Sequence, residues 1–113
     1  MAIAAAALLL IAYLGICFSY AERLSRVERN ELERAATFVS PTHEDVTFQT
    51  QDGLTLKGWW FPAPEPLDRA AVLVHGKDQN RIDSSFPHGL IARFLLANGY
   101  SALLFDLRGH GES

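Results

Sequence analysis

Two stretches decide the fold: Ala70-Ala71-Val72-Leu73-Val74 running into His75-Gly76, and Tyr100-Ser101-Ala102-Leu103-Leu104-Phe105 running into Asp106-Leu107-Arg108-Gly109-His110-Gly111-Glu112-Ser113. Each begins with an apolar run lacking polar alternation, which marks a strand covered on both faces and so predicts helices above and below the sheet. Between them the sequence predicts one such helix. Asp83, Ser84 or Ser85 are its candidate caps, Pro87 fits its first turn, Leu90, Ile91, Phe94 and Leu95 form an apolar face, and Gly99 is the left-handed stop. Strand, helix and strand in this order make a right-handed parallel unit.

Upstream, Val46, Phe48 and Thr50 alternate as in a half-buried strand, and Gln51-Asp52-Gly53 supplies turn chemistry. Leu54, Leu56 and Gly58-Trp59-Trp60-Phe61 then return as a second strand, closed by Pro62, giving an antiparallel hairpin at one edge of the sheet. Ala63-Pro64-Glu65-Pro66 is a short stiff loop. The class is α/β.

The first 21 residues carry no charged side chain, and Ala2 to Ala21 is long enough for a helix to cross the ~30 Å hydrocarbon core. We read residues 1–21 as an uncleaved transmembrane anchor, with the lipid bilayer as partner through residues 2–21. The alternatives are a buried soluble helix and a cleaved signal peptide. Ser19 and Ala21 are spaced as small residues before a cut at Glu22, but no basic residue precedes the apolar run. Arg23, Arg26, Arg29 and Arg34 follow the span, which by the positive-inside rule favours the cytoplasmic side for the downstream portion of a single-pass protein and leaves the opposite orientation open. Glu22, Glu28, Glu31 and Glu33 interleave with them, so residues 22–41 are expected to be a solvated helical stalk rather than a basic lipid-binding stripe, with Glu22/Arg26 and Arg29/Glu33 one turn apart and Pro41 as its end. Residues 42–113 then form the α/β portion.

Composition excludes several classes. Ten Lys+Arg against thirteen Asp+Glu, a formal charge of −3, give no electrostatic footprint for nucleic acid. A 49% apolar chain with 20% charged residues is not disordered. Cys17 is the single cysteine and lies in the apolar run, so no intrachain disulfide or paired-thiol site is expected. His43-Glu44-Asp45 is a poor metal site, because neighbours in a strand point to opposite faces. No metal and no cofactor are expected.

Asp52 to Trp59 as Asp-Gly-x-x-Leu-x-Gly-Trp, an apolar strand into His75-Gly76, a helix ending in Asn98-Gly99-Tyr100, and Asp106 to Ser113 as Asp-x-Arg-Gly-His-Gly-x-Ser together resemble the amino-terminal part of an α/β-hydrolase, from about Glu44 to Ser113. The resemblance implies an amino-terminal part of that family's sheet, an antiparallel hairpin plus parallel strand–helix–strand, which in this chain follows the transmembrane helix read from residues 1–21. It also implies that the loop after the His-Gly strand supplies an oxyanion-hole N–H, here on Lys77, with Asp78 the next candidate. A plain turn with solvated Lys77 and Asp78 is the alternative.

In that family the triad runs Ser, then Asp or Glu, then His, so His75 and His110 come too early to be its base and are expected to brace loops. Gly76, Asp106, Arg108, Gly109 and Gly111 are expected to shape the site loops, with an Asp106–Arg108 acid or anion clamp as the sharper alternative. Gly111-Glu112-Ser113 begins a G-x-S-x-G pattern, yet Asp106 to His110 separate it from its strand, whereas a nucleophile elbow turns directly off a strand end. The same spacing argues against a dinucleotide fingerprint. The triad is therefore expected beyond Ser113, and the chain is read as the first part of a membrane-anchored serine hydrolase of ester, amide or related bonds, acting on a small-molecule, acyl or peptide substrate. A non-catalytic hydrolase-like module tethered to the membrane and a nucleotide-binding α/β domain are the competing readings.

Overall fold

A computed structural model describes all 113 residues, the side chain of Ala2 excepted. Helix α1 (Ala2–Ser25) projects from a small α/β body made of β1 (Glu44–Gln49), β2 (Thr55–Phe61), β3 (Arg69–Val74), α2 (His88–Ala97) and β4 (Tyr100–Phe105). The sheet order is β1-β2-β4-β3, with β3 parallel to β4 and the other neighbours antiparallel. This is the expected hairpin beside a parallel strand–helix–strand unit.

The register divides the sheet into two faces of different fate. Trp59, Phe61, Ala102 and Leu104 fall on one face, and they pack with Ala92 and Leu96 of α2, Ile82, and Ala36 and Val39 ahead of the sheet. Phe61 and Leu104 are fully buried, and truncating either to Ala would cost roughly 3–5 and 2–5 kcal/mol. Because Ala36 and Val39 belong to this core, the packed body begins before Thr42.

The second face is a correction. Coverage above and below was expected for β3, but α2 covers one side only among the described residues, and Val72 and Val74 remain 57% and 52% exposed. They share the open face with Leu103, Phe105 and Phe48, whose ring meets Phe105 edge-on at 6.0 Å. An apolar run reports a need for cover and does not itself supply it.

The stalk is a second correction. Helix α1 ends at Ser25, Arg26 turns extended at φ −69°, ψ 127°, and no α-helix runs through residues 26–35. Glu22 and Arg26 do pair one turn apart, at 3.3 Å. Beyond them, a helical pair is worth only about 0.2–0.5 kcal/mol, and the backbone instead bonds the loop after β3. The caps of α2 differ too. The helix starts at His88 behind Pro87 with no side-chain cap, while Asp83 turns its carboxylate onto the Ser85 N–H at 2.8 Å to close a separate turn. Its end is as read, with Gly99 left-handed at φ 79°.

Helix α1 is 24 residues long, and within Ile3–Ser25 an 18-residue stretch has a mean hydropathy of 2.2 with none of it buried. It is long and apolar enough to cross a bilayer.

Candidate functional site

The loops after β3 and β4 stand side by side, because parallel neighbours bring their carboxyl ends to the same edge. Two histidines join them in opposite directions. His75, at the end of β3, donates from Nδ1 to the Gly76 carbonyl at 2.8 Å and accepts the Leu107 N–H on Nε2 at 3.0 Å. His110, in the second loop, donates from Nδ1 to the Arg108 carbonyl at 2.9 Å and accepts the Asp78 N–H on Nε2 at 3.2 Å. These partners assign the proton of each ring to Nδ1, and the rings lie 4.9 Å apart between centroids. Both nitrogens of both residues serve loop backbone.

The N–H groups of the first loop are unequally engaged. Gly76 donates to Gln79 Oε1 at 2.8 Å, and Asp78 donates to His110. The Lys77 N–H between them has no protein acceptor among the described residues. Asp78, the second donor expected from the sequence, is thus already committed. Its backbone is left-handed at φ 58°, which costs about 1 kcal/mol for a residue with a side chain and therefore needs surrounding bonds. The Glu28 N–H at 3.0 Å, followed by the Lys77 ammonium at 3.2 Å, holds the Asp78 carboxyl below the usual carboxylate range. Arg23, Arg26, Glu28, Lys77 and Asp78 line a depression of about 310 Å³.

Asp106 and Arg108 do not form the clamp considered from the sequence. Arg108 points away, to Asp52 in the hairpin turn, at 2.6 Å from both carboxylate oxygens, and holds the Asp52 carboxyl down at about 2. That pair is exposed. Asp106 is fully buried and accepts the Arg81 N–H at 2.7 Å, Arg81 Nη1 at 2.8 Å and the Glu112 N–H at 3.0 Å. Gly109 and Gly111 are left-handed, at φ 74° and 45°, so the second loop folds back on this carboxylate.

No family model matches the chain. The uncharacterized protein Rv2307c of Mycobacterium tuberculosis is 42% identical over 77 residues, covering 68% of this chain and 26% of the relative. The polyketide transferase grgF of a Penicillium species is 41% identical over 69 residues, covering 61% and 22%. Among solved structures, the esterase Pf2001 of Pyrococcus furiosus superposes with a TM-score of 0.67 at 29% identity, over 77% of this chain and 32% of the esterase. The α/β hydrolase GrgF of Penicillium gives 0.55 at 37% identity, over 63% and 23%. The chain carries an α/β-hydrolase-like fragment. It spans about a quarter of the length of the curated relatives it matches.

Within this α/β-hydrolase-like fragment, Ser113 holds structure. Its hydroxyl accepts the Lys57 N–H at 2.8 Å and donates to the Asp106 carbonyl at 2.8 Å. No histidine or carboxylate side chain bonds it among the described residues, so nothing there acts as its base. No group of three His, Cys, Asp or Glu side chains converges on a metal position among the described residues.

The residues that the sequence reading passed over are Arg81, Asn80 and Asn30. Arg81 is 3% exposed, bridges Asp106 and Glu112, and stacks 4.2 Å above the Trp59 ring. Asn80 is fully buried and donates to the Glu31 carbonyl at 2.9 Å. In the string Gln79-Asn80-Arg81 such residues read as solvated loop, since their partners lie 25 and 49 positions away.

Proposed function

We propose that the α/β-hydrolase-like fragment is the amino-terminal part of a membrane-anchored serine hydrolase of ester, amide or related bonds. Lys77 supplies one backbone donor of its oxyanion hole. The supporting observation is the uncommitted Lys77 N–H at the carboxyl end of β3, between two N–H groups that are each engaged. A developing alkoxide needs a donor that is fixed and unpaired before reaction, and one such donor is worth about 2.7–4 kcal/mol in the transition state. The nucleophile, acid and base belong to a Ser-His-Asp/Glu triad beyond Ser113, no cofactor takes part, and residues 2–21 hold the protein in the bilayer.

The likeness to polyketide transferase grgF supports a second reading, in which the acyl group passes to an acceptor other than water. Both readings share the acyl-enzyme and its oxyanion. The test is turnover of a chromogenic short-chain ester by the full-length protein, with labelling by a fluorophosphonate. Labelling and ester cleavage that persist in Ser113→Ala support the proposal. Absence of both from the folded protein overturns it. Product analysis with an added alcohol acceptor separates hydrolysis from transfer.

A further inference from the structure

The segment between α1 and the core lies against the two site loops, and most of its polar groups bond the loop that holds Lys77. The Glu28 N–H donates to Asp78 Oδ1 at 3.0 Å, and Asn30 Nδ2 donates to the Asp78 carbonyl at 2.7 Å. From the other side, Asn80 Nδ2 donates to the Glu31 carbonyl at 2.9 Å, while Asn80 Oδ1 accepts the Ile82 N–H at 3.0 Å. Arg29 reaches the second loop, donating to the Ser113 carbonyl at 2.5 Å. Asn80 is fully buried, so its amide is held in a fixed position. Asp78, the residue gripped at both its carbonyl and its carboxylate, is also the left-handed one.

We infer that residues Glu28 to Glu31 are a strap that fixes the Lys77 N–H, with Asn30 and Asn80 as its positioning residues. The inference rests on the reading of this loop as part of an oxyanion hole. A donor contributes in the transition state only if its direction is set beforehand, and a shift of about 1 Å in such a group costs up to a hundredfold in rate. The Lys77 N–H lies in the Gly76–Lys77 peptide, one residue before the gripped Asp78, so the bonds from Asn30 and Glu28 fix the turn on which that N–H stands. The strap begins at Glu28, and only Arg26 and Val27 separate it from the end of α1 at Ser25. The position of the apolar helix is thereby linked through a short stretch of chain to the geometry of the site.

The test uses the full-length protein in detergent micelles, with Asn30→Asp as the main variant. The substitution keeps the volume of the side chain and deletes its donor; Asn30→Ala serves as a second variant if the first does not fold. Steady-state ester hydrolysis, the thermal midpoint, and hydrogen exchange of the peptide covering residues 76–80 are measured, with exposed Glu33→Ala as the control. The expected result is a fall in kcat of about tenfold or more with KM unchanged, faster exchange in residues 76–80, and a midpoint close to that of the control.

Unchanged exchange and unchanged kcat in Asn30→Asp and Asn30→Ala overturn the strap. Lys77→Pro, measured alongside, separates the two possible failures. If Lys77→Pro abolishes turnover while the Asn30 variants do not alter it, the oxyanion reading stands and the strap fails. If exchange rises in the Asn30 variants while neither they nor Lys77→Pro change kcat, the strap holds a loop without a donor, and the reading of the site fails.

Discussion

The carboxylate of Asp106 fills the space that a side chain at Gly111 would need: a Cβ built there would lie within 2.7 Å of both carboxylate oxygens. The second loop folds back so tightly that its own backbone closes over the buried acid, which is why Gly111 and Asp106 are five residues apart and yet in contact. Gly111→Ala is expected to destabilise the protein by about 2–4 kcal/mol, from overpacking and left-handed strain together. Gly109→Ala carries the strain but meets nothing nearer than Val27 at 4.0 Å, and should cost only about 1 kcal/mol. Urea unfolding of the two variants checks the order. Equal costs would contradict the placement of Asp106.

Arg81 and Arg108 each pair with an aspartate, but burial makes the two pairs unequal. Arg81→Met leaves the Asp106 carboxylate buried without its cation and should cost about 3–5 kcal/mol. Arg108→Ala breaks a pair whose side chains are 59% and 58% exposed, and should leave the unfolding midpoint nearly where it was. Chemical denaturation of both variants at one salt concentration makes the comparison.

Stability should fall with pH below the ordinary histidine range, in part through His88. Its burial, first, and the neighbouring His75 lower its pKa from 6.5, with the Val74 backbone acting the other way. The unfolded chain then takes the proton at a higher pH than the folded one. Stability from this group is accordingly full above 6.5 and is lost as pH falls from there toward the depressed folded value. The difference between the unsubstituted protein and His88→Leu, followed by thermal melts from neutral to mildly acidic pH, isolates this contribution from the other histidines. Asp78 has the same sign in a more acidic window. Its stabilising contribution is present above the ordinary carboxylate value of 3.8 and is lost as pH falls through its lowered folded value.

The full-length protein should stay with the membrane fraction through carbonate extraction and keep residues 1–21 at its amino terminus, because α1 offers an uninterrupted exposed apolar span. A soluble product that starts at Glu22 would overturn the anchor.

What the sequence made legible was local. The runs Ala70–Val74 and Tyr100–Phe105 have no polar alternation and can be little else than strands, and Gly99 ends α2 because its φ of 79° suits no other residue as well. The strap was illegible for the opposite reason. Arg29 and Glu33 have helical spacing, and nothing local reveals that the Glu28 N–H is claimed by a carboxylate 50 positions away. Arg81 was hidden in the same way, since a buried arginine in a polar string is recognised only through Asp106 and Trp59. At the candidate site, the motif located the loop containing Lys77 and Asp78, whereas which of the two N–H groups stays uncommitted depended on where His110 reaches.

If the Lys77 backbone and not its ammonium serves the reaction, as proposed, a pair of substitutions in the full-length protein shows it. Lys77→Ala keeps the N–H and removes the charge, so kcat/KM for a short-chain ester should fall less than about tenfold. Lys77→Pro deletes the donor and should cost about a hundredfold or more, with far-ultraviolet circular dichroism confirming that the fold is retained. Loss of all activity in Lys77→Ala with an unchanged dichroism spectrum would contradict the account, because the ammonium would then be the working group.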